Sequence, residues 1–184
     1  GLGVSVRVVS SEEGGRMDEA GVIQRLWMLW PTAEHAELLC EALAYSEEAM
    51  RMHPGSATLL CMRGDLLQLA PPSYHSDDNA EGCYLRAIQV EPRYAEGWES
   101  LGWYYYAVTD EYAPAAGAFR RAIECGAGSD SVRELAAALA AQGQCGEARR
   151  LIQKALSREA DQGRRAALLD LQRDMDQGEY EDPA

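Results

Sequence analysis

Three segments of this chain share one pattern of side-chain size, small, large, small, at spacings of four and three residues, and a fourth keeps the spacing. Ala80, Tyr84 and Ala87 form one set, Ala115, Phe119 and Ala122 a second, and Ala148, Ile152 and Ala155 a third, while Ala42, Ser46 and Ala49 keep the same spacing. The leading alanines are separated by 38, 35 and 33 residues. Spacings of four and three return to the same side of an α-helix, so each set is one helix face. A second pattern precedes three of the sets: Leu60, Gly64 and Leu67, then Trp98, Leu101, Gly102 and Tyr105, then Val132, Leu135, Ala136 and Leu139. A glycine or alanine on one helix lets the next approach its backbone, and the large residue of the partner fills the gap. A helix hairpin of this length cannot bury its apolar face alone, so the period demands stacking of neighbours.

The breaks in the chain agree with this. Pro31, Pro54-Gly55, Pro71-Pro72, Pro92, Thr109-Asp110, Gly126 to Asp130 and Gln142-Gly143 each interrupt a helical pattern. They predict helices over 17–30, 33–52, 57–70, 79–90, 95–108, 113–125, 131–141, 146–158 and 161–176, with Thr32 capping the second. Residues 1–15 carry a short alternation at Val4, Val6 and Val8 and then a polar linker, and read as a flexible arm. The closing GEYEDPA is an acidic tail. The resulting division is an arm (1–15), an N-terminal helical pair acting as degenerate repeat or cap (16–56), three repeats (57–92, 93–128, 129–160) and a C-terminal capping helix with its tail (161–184).

Composition limits what such a chain does. A net charge of −13 repels the phosphates of nucleic acid and an anionic membrane surface. No apolar run reaches eighteen residues, so no membrane span is expected. The five cysteines, at 40, 61, 83, 125 and 145, show no CxxC spacing and fall inside helical patterns. They read as reduced packing residues, which points to the cytoplasm. His35, His53 and His75 are not paired at helical spacing, and no P-loop, nucleophile elbow or dinucleotide fingerprint occurs. The chain therefore reads as a non-enzyme without cofactor or metal. The contrary case is a site built from His75, Asp77 and Asp78 in the long 71–78 loop.

The segment Arg93 to Gly126 carries Trp98, Leu101, Gly102, Tyr105, Ala115, Phe119 and Ala122. That set resembles the tetratricopeptide repeat (TPR), a 34-residue helix–turn–helix with the pattern W-x2-L-G-x2-Y…A-x3-F…A…P. The departures are a longer loop after Pro71, an extra residue near Thr109, Gly126 and Gly128 in place of the closing proline, and Pro31 inside the first unit. The resemblance implies an all-α fold, with repeats stacked into a right-handed superhelix.

It also implies that the first helix of each repeat lines a concave groove. Carried onto this chain, the second unit contributes Thr58, Cys61, Asp65, Gln68 and Leu69 to that groove, the third Glu96, Glu99, Trp103, Tyr106 and Ala107, and the fourth Asp130, Arg133, Ala137, Ala140 and Ala141. The groove is expected to be acidic at one level, aromatic in the middle and smooth at the far end. Asp65, Gln68, Glu96, Glu99, Trp103, Tyr106 and Arg133 are the candidate partner-binding residues. Trp103 and Tyr106 lie off the face of Trp98, Leu101 and Tyr105, and are the candidate anchors. A carboxylate clamp of the kind some family members use cannot form, because Cys61, Asp65, Glu99 and Trp103 stand in its places. The expected function is a scaffold or adaptor that takes an apolar or basic segment of a partner protein. Two alternatives accompany it: a small acidic secretion-type chaperone, and a structural subunit that dimerises through Trp27 and Trp30.

Overall fold

A computed structural model describes residues 17–180 of the chain. The expected arm at 1–15 and the last four residues of the acidic tail lie outside the described residues. Those described are organised by helices: α1 (Glu19–Met28), α2 (Leu38–Met52), α3 (Ala57–Leu69), α4 (Ala80–Val90), α5 (Ala95–Ala107), α6 (Tyr112–Glu124), α7 (Ser129–Ala141), α8 (Cys145–Leu156) and α9 (Gln162–Asp176). Several starts are marked by a side chain that accepts from the first helical turn. Asp18 accepts from Gly21 N at 2.9 Å, Ser56 from Leu59 N at 3.2 Å, Asn79 from Gly82 N at 2.7 Å and Asp161 from Arg164 N at 2.8 Å. The second helix departs from the expected range of 33–52. Thr32 Oγ1 does accept from His35 N at 3.2 Å, but Leu38 N then bonds His35 O and Leu39 N bonds Ala36 O. These are tight three-residue turns, and regular α-helix begins only at Leu38.

Each helix packs mainly on its chain neighbours, and α3 also meets α5, while α9 lies against both α7 and α8. The size pattern sets these contacts. A Cβ on Gly64 would lie 2.5 Å from the Tyr84 ring, and one on Gly102 would lie 2.8 Å from the Phe119 ring. Tyr84, Phe119 and Ile152, the large members of the three sets, are all buried. The core runs along the stack in three apolar clusters, centred on α1–α3, α3–α6 and α5–α9.

A positive charge is buried inside this stack. The Arg63 side chain on α3 is 3 % exposed. Its Nε donates to Asp78 at 2.8 Å, Nη1 to Ser46 Oγ at 2.8 Å and Nη2 to Ser76 Oγ at 2.8 Å, with Glu47 at 3.5 Å. Tyr74 donates to the same Glu47 carboxylate at 2.7 Å. The loop between α3 and α4 is therefore tied down by an arginine that satisfies α2 and the loop together. Asp78 is an ion-pair partner of this hub and of Arg86, while His75 and Asp77 stay exposed.

Candidate functional site

Trp103, Tyr104, Tyr105 and Tyr106 occupy consecutive positions and so point around most of the circumference of α5. Tyr105 turns inward and donates its hydroxyl to Glu81 at 2.7 Å. Tyr104 lies edge-on to Tyr84, with centroids 6.3 Å apart. Trp98 is half-buried, donates its Nε1 to Pro92 O at 3.0 Å, and carries the Arg121 guanidinium 5.6 Å above its ring. Trp103 is the member left in solvent, at 42 % exposure. Its indole is held at right angles to both Phe119 and Tyr106, each at 6.0 Å. It is thus a fixed aromatic surface that the core supports from behind.

The other candidates are placed in more than one way. Asp65 and Gln68 converge on one atom: the Tyr84 hydroxyl donates to Asp65 at 2.6 Å and accepts from the Gln68 amide. Burial raises the Asp65 carboxyl pKa, with the Tyr84 bond acting in the opposite direction. Glu96 is exposed, and both it and Asp65 act on the buried Cys61 thiol, whose pKa burial pushes up to about 12. Burial likewise pushes Cys83 up to about 11, so both thiols stay protonated and unreactive at neutral pH. Glu99 accepts from Ser131 Oγ, a tie between α5 and α7. Arg133 is half-buried and pairs with its neighbour Glu134. Tyr106 is half-buried, with its ring 5.5 Å from that of Tyr112 and its side chain packed against the α5–α9 cluster. Burial is the main reason its hydroxyl is pushed up to about 12.

Trp103, Tyr106 and Glu99 therefore share one helix face with Glu96, while Asp65 and Gln68 serve the polar end of a core tyrosine. The α7 positions do not form a smooth open end. Ala137 and Ala140 are 6 % and 0 % exposed, because α9 lies over α7 and brings Leu168, Leu171 and Met175 into the same cluster. Three features were missed in the sequence. The Arg63 hub was signalled only by a cation inside an otherwise apolar helix. Glu134 is 4 % exposed and burial pushes its carboxyl up to about 6, although it sits in a helix where charge reads as surface. Tyr180, which packs against the α5–α9 cluster, carried no local signal.

Among the described residues, no group of His, Cys, Asp and Glu is arranged to hold a metal ion, and no helix is long and apolar enough to cross a membrane. No protein-family model matches the sequence, and no curated protein is similar to it in sequence. Solved structures are similar in fold. A crystal structure of MamA, a helical-repeat protein of the tetratricopeptide type, superposes with a TM-score of 0.62 at 18 % identity, over 76 % of this chain and 77 % of that one. A second MamA crystal structure gives 0.60 at 17 % identity, over 89 % of this chain and 77 % of that one. Likeness at this level of identity establishes the architecture: the described residues form an all-helical superhelix of repeats.

Proposed function

We propose that this chain is a non-enzymatic interaction module of the tetratricopeptide type, which holds a peptide or helix of a partner protein in the groove lined by α3 and α5. The observation that carries this reading is Trp103, an indole kept 42 % exposed by a buried ring behind it. A large aromatic side chain fixed on a helix binds at small entropic cost and is the usual centre of a binding hot spot. Glu96 and Glu99 stand on the same helix, and the chain carries −13 overall, so an apolar segment with basic neighbours fits best. Five unpaired thiols are consistent with action in the cytoplasm.

The test is calorimetric titration of a captured partner against wild type, Trp103→Ala and Tyr106→Ala. Loss of a hot-spot aromatic should weaken binding about thirty-fold or more, corresponding to about 2 kcal/mol. Unchanged affinity for every partner in both variants would remove the groove reading.

Self-association is favoured by one separate observation. Trp27 and Met28 at the end of α1 are 57 % and 75 % exposed, and the Trp27 ring lies tilted beside that of Trp30, centroids 5.0 Å apart. Light scattering on wild type and on Trp27→Ala/Trp30→Ala decides it: a monomer in both cases discards this second reading.

A further inference from the structure

Helices α6, α7 and α8 enclose a cavity of about 640 Å³, with mostly apolar walls and no contribution from α3 or α5. Comparison with the preceding repeat shows why it is there. First helices correspond at an interval of 34 residues, so Val132 stands where Trp98 stands, and Leu135 where Leu101 stands. Second helices correspond at 33, through Ala115 and Ala148, so Lys154 takes the place of Arg121. In the preceding repeat the Trp98 indole packs against the core, with the Arg121 guanidinium 5.6 Å from the ring centroid. In the next repeat the cation is kept and the ring is lost. Val132 puts an isopropyl group where an indole stood, and it lines the cavity together with Ile123 of α6, Leu135 of α7 and Leu151 of α8.

The charges around this space are unequally matched. Arg120 pairs with Glu147 at 3.1 Å, Arg121 with Glu124 at 2.7 Å, and Glu159 accepts from Ser129 Oγ and from Asp161 N, the latter at 2.9 Å. Each carboxylate lining the cavity is thus engaged. Lys154, the only lysine of the chain, and Arg158 line it too. Both are exposed, and neither has an ion-pair partner among the described residues. In a chain of net charge −13, two such cations beside an apolar space attract an anion locally.

We propose that this cavity binds a small aromatic carboxylate, a flat apolar ring carrying one anionic group. The ring takes the place of the missing indole against Val132 and Leu151, and the carboxylate meets Lys154 and Arg158. The volume is that of a small-molecule site, and enclosure by three helices suits a compact ligand better than an extended segment of a protein. The site shares no residue with the proposed groove on α3 and α5, so the two readings stand or fall separately.

The test is an NMR titration of the full-length, methyl-labelled protein with indolepropionate. Methylindole and tryptamine serve as the same ring with no charge and with a positive charge. Indolepropionate should move the methyl signals of Ile123, Val132, Leu135 and Leu151. At low salt it should bind about ten-fold tighter than methylindole, with tryptamine weakest. Lys154→Gln/Arg158→Gln, on exposed surface, should bring indolepropionate down to the level of methylindole. Val132→Trp restores the side chain of the preceding repeat and should abolish binding of all three. Because the chain has a single lysine, acylation of the Lys154 amine, read by peptide mass, should slow when indolepropionate is bound. Shifts that fall outside the cavity overturn the proposal, as does equal affinity for indolepropionate and tryptamine, or binding unchanged in Lys154→Gln/Arg158→Gln. A peptide with tryptophan beside glutamates that moves these methyl signals, where indolepropionate does not, overturns it in favour of a protein partner.

Discussion

Helices α5 and α7 occupy equivalent places in successive repeats, and residues 34 apart correspond: Gly102 with Ala136, Trp103 with Ala137, Tyr106 with Ala140. Gly102 and Ala136 are both buried, but the outer positions differ. Trp103 is 42 % exposed, whereas Ala137 and Ala140 are 6 % and 0 % exposed. On α5 the outward positions hold large rings because nothing in the described chain covers Trp103. On α7 they hold alanine inside a cluster that α9 joins through Leu168, Leu171 and Met175, where a larger side chain would have to push packed neighbours away. A small residue at such a position marks a helix that is covered, and a large aromatic one marks a surface with an unfilled role.

The contrast is easiest to break on α7. Ala140→Leu should cost up to about 3 kcal/mol by overpacking the α7–α9 contact, and loss of α9 protection in hydrogen exchange would show where the strain goes. The same measurement on α5 should give far less for Tyr106→Leu, since that site already holds a larger ring. Gly102→Ala is next. Its new Cβ would meet the Phe119 ring at 2.8 Å, so a cost of about 2 kcal/mol is expected in urea unfolding. The matching Ala136→Gly should cost only about 1 kcal/mol, the backbone-entropy penalty of glycine in a helix.

Glu134 supplies a pH test of the covered helix. Its folded carboxyl titrates at about 6, above the ordinary 4.5, so the folded state holds this proton more tightly than the unfolded chain does. Its contribution to stability is full below pH 4.5, declines as pH rises through about 6, and is constant above that. Glu134→Gln should remove this slope, leaving wild type weaker by no more than about 2 kcal/mol in comparison at pH 8. A difference between the two proteins that does not change from pH 4 to pH 8 would contradict the burial. The smallest effect belongs to Trp103→Ala, at under about 1 kcal/mol in stability, even though it should be the most damaging change for partner binding. A large stability loss there would make Trp103 a core residue and dissolve the contrast with α7.

Much of the architecture was legible because it depends on local periodicity. The four-and-three spacing of Ala115, Phe119 and Ala122, the glycine at 102 and the prolines between helices specify which faces touch and where helices stop. Helix starts were harder to place. The loose turns from Thr32 to Leu38 bond among themselves, so a capping residue at 32 did not lead directly into α2. The candidate site was legible only in part. Trp103 was identifiable because one helix face cannot hold five aromatic rings. The engagement of Asp65 and Gln68 by Tyr84 was not, because it joins groups on two helices.

By itself the sequence determined the helices, their pairing and the surplus of aromatic surface on α5, because these follow from periods of three to four residues and from side-chain volume. Only the tertiary structure decided which of those surfaces remain open. That depends on where α9 comes to rest, far along the chain from α5. Burial of Ala137, Ala140, Glu134 and Tyr106 is a property of such long-range contacts, and nothing in the neighbouring residues encodes it.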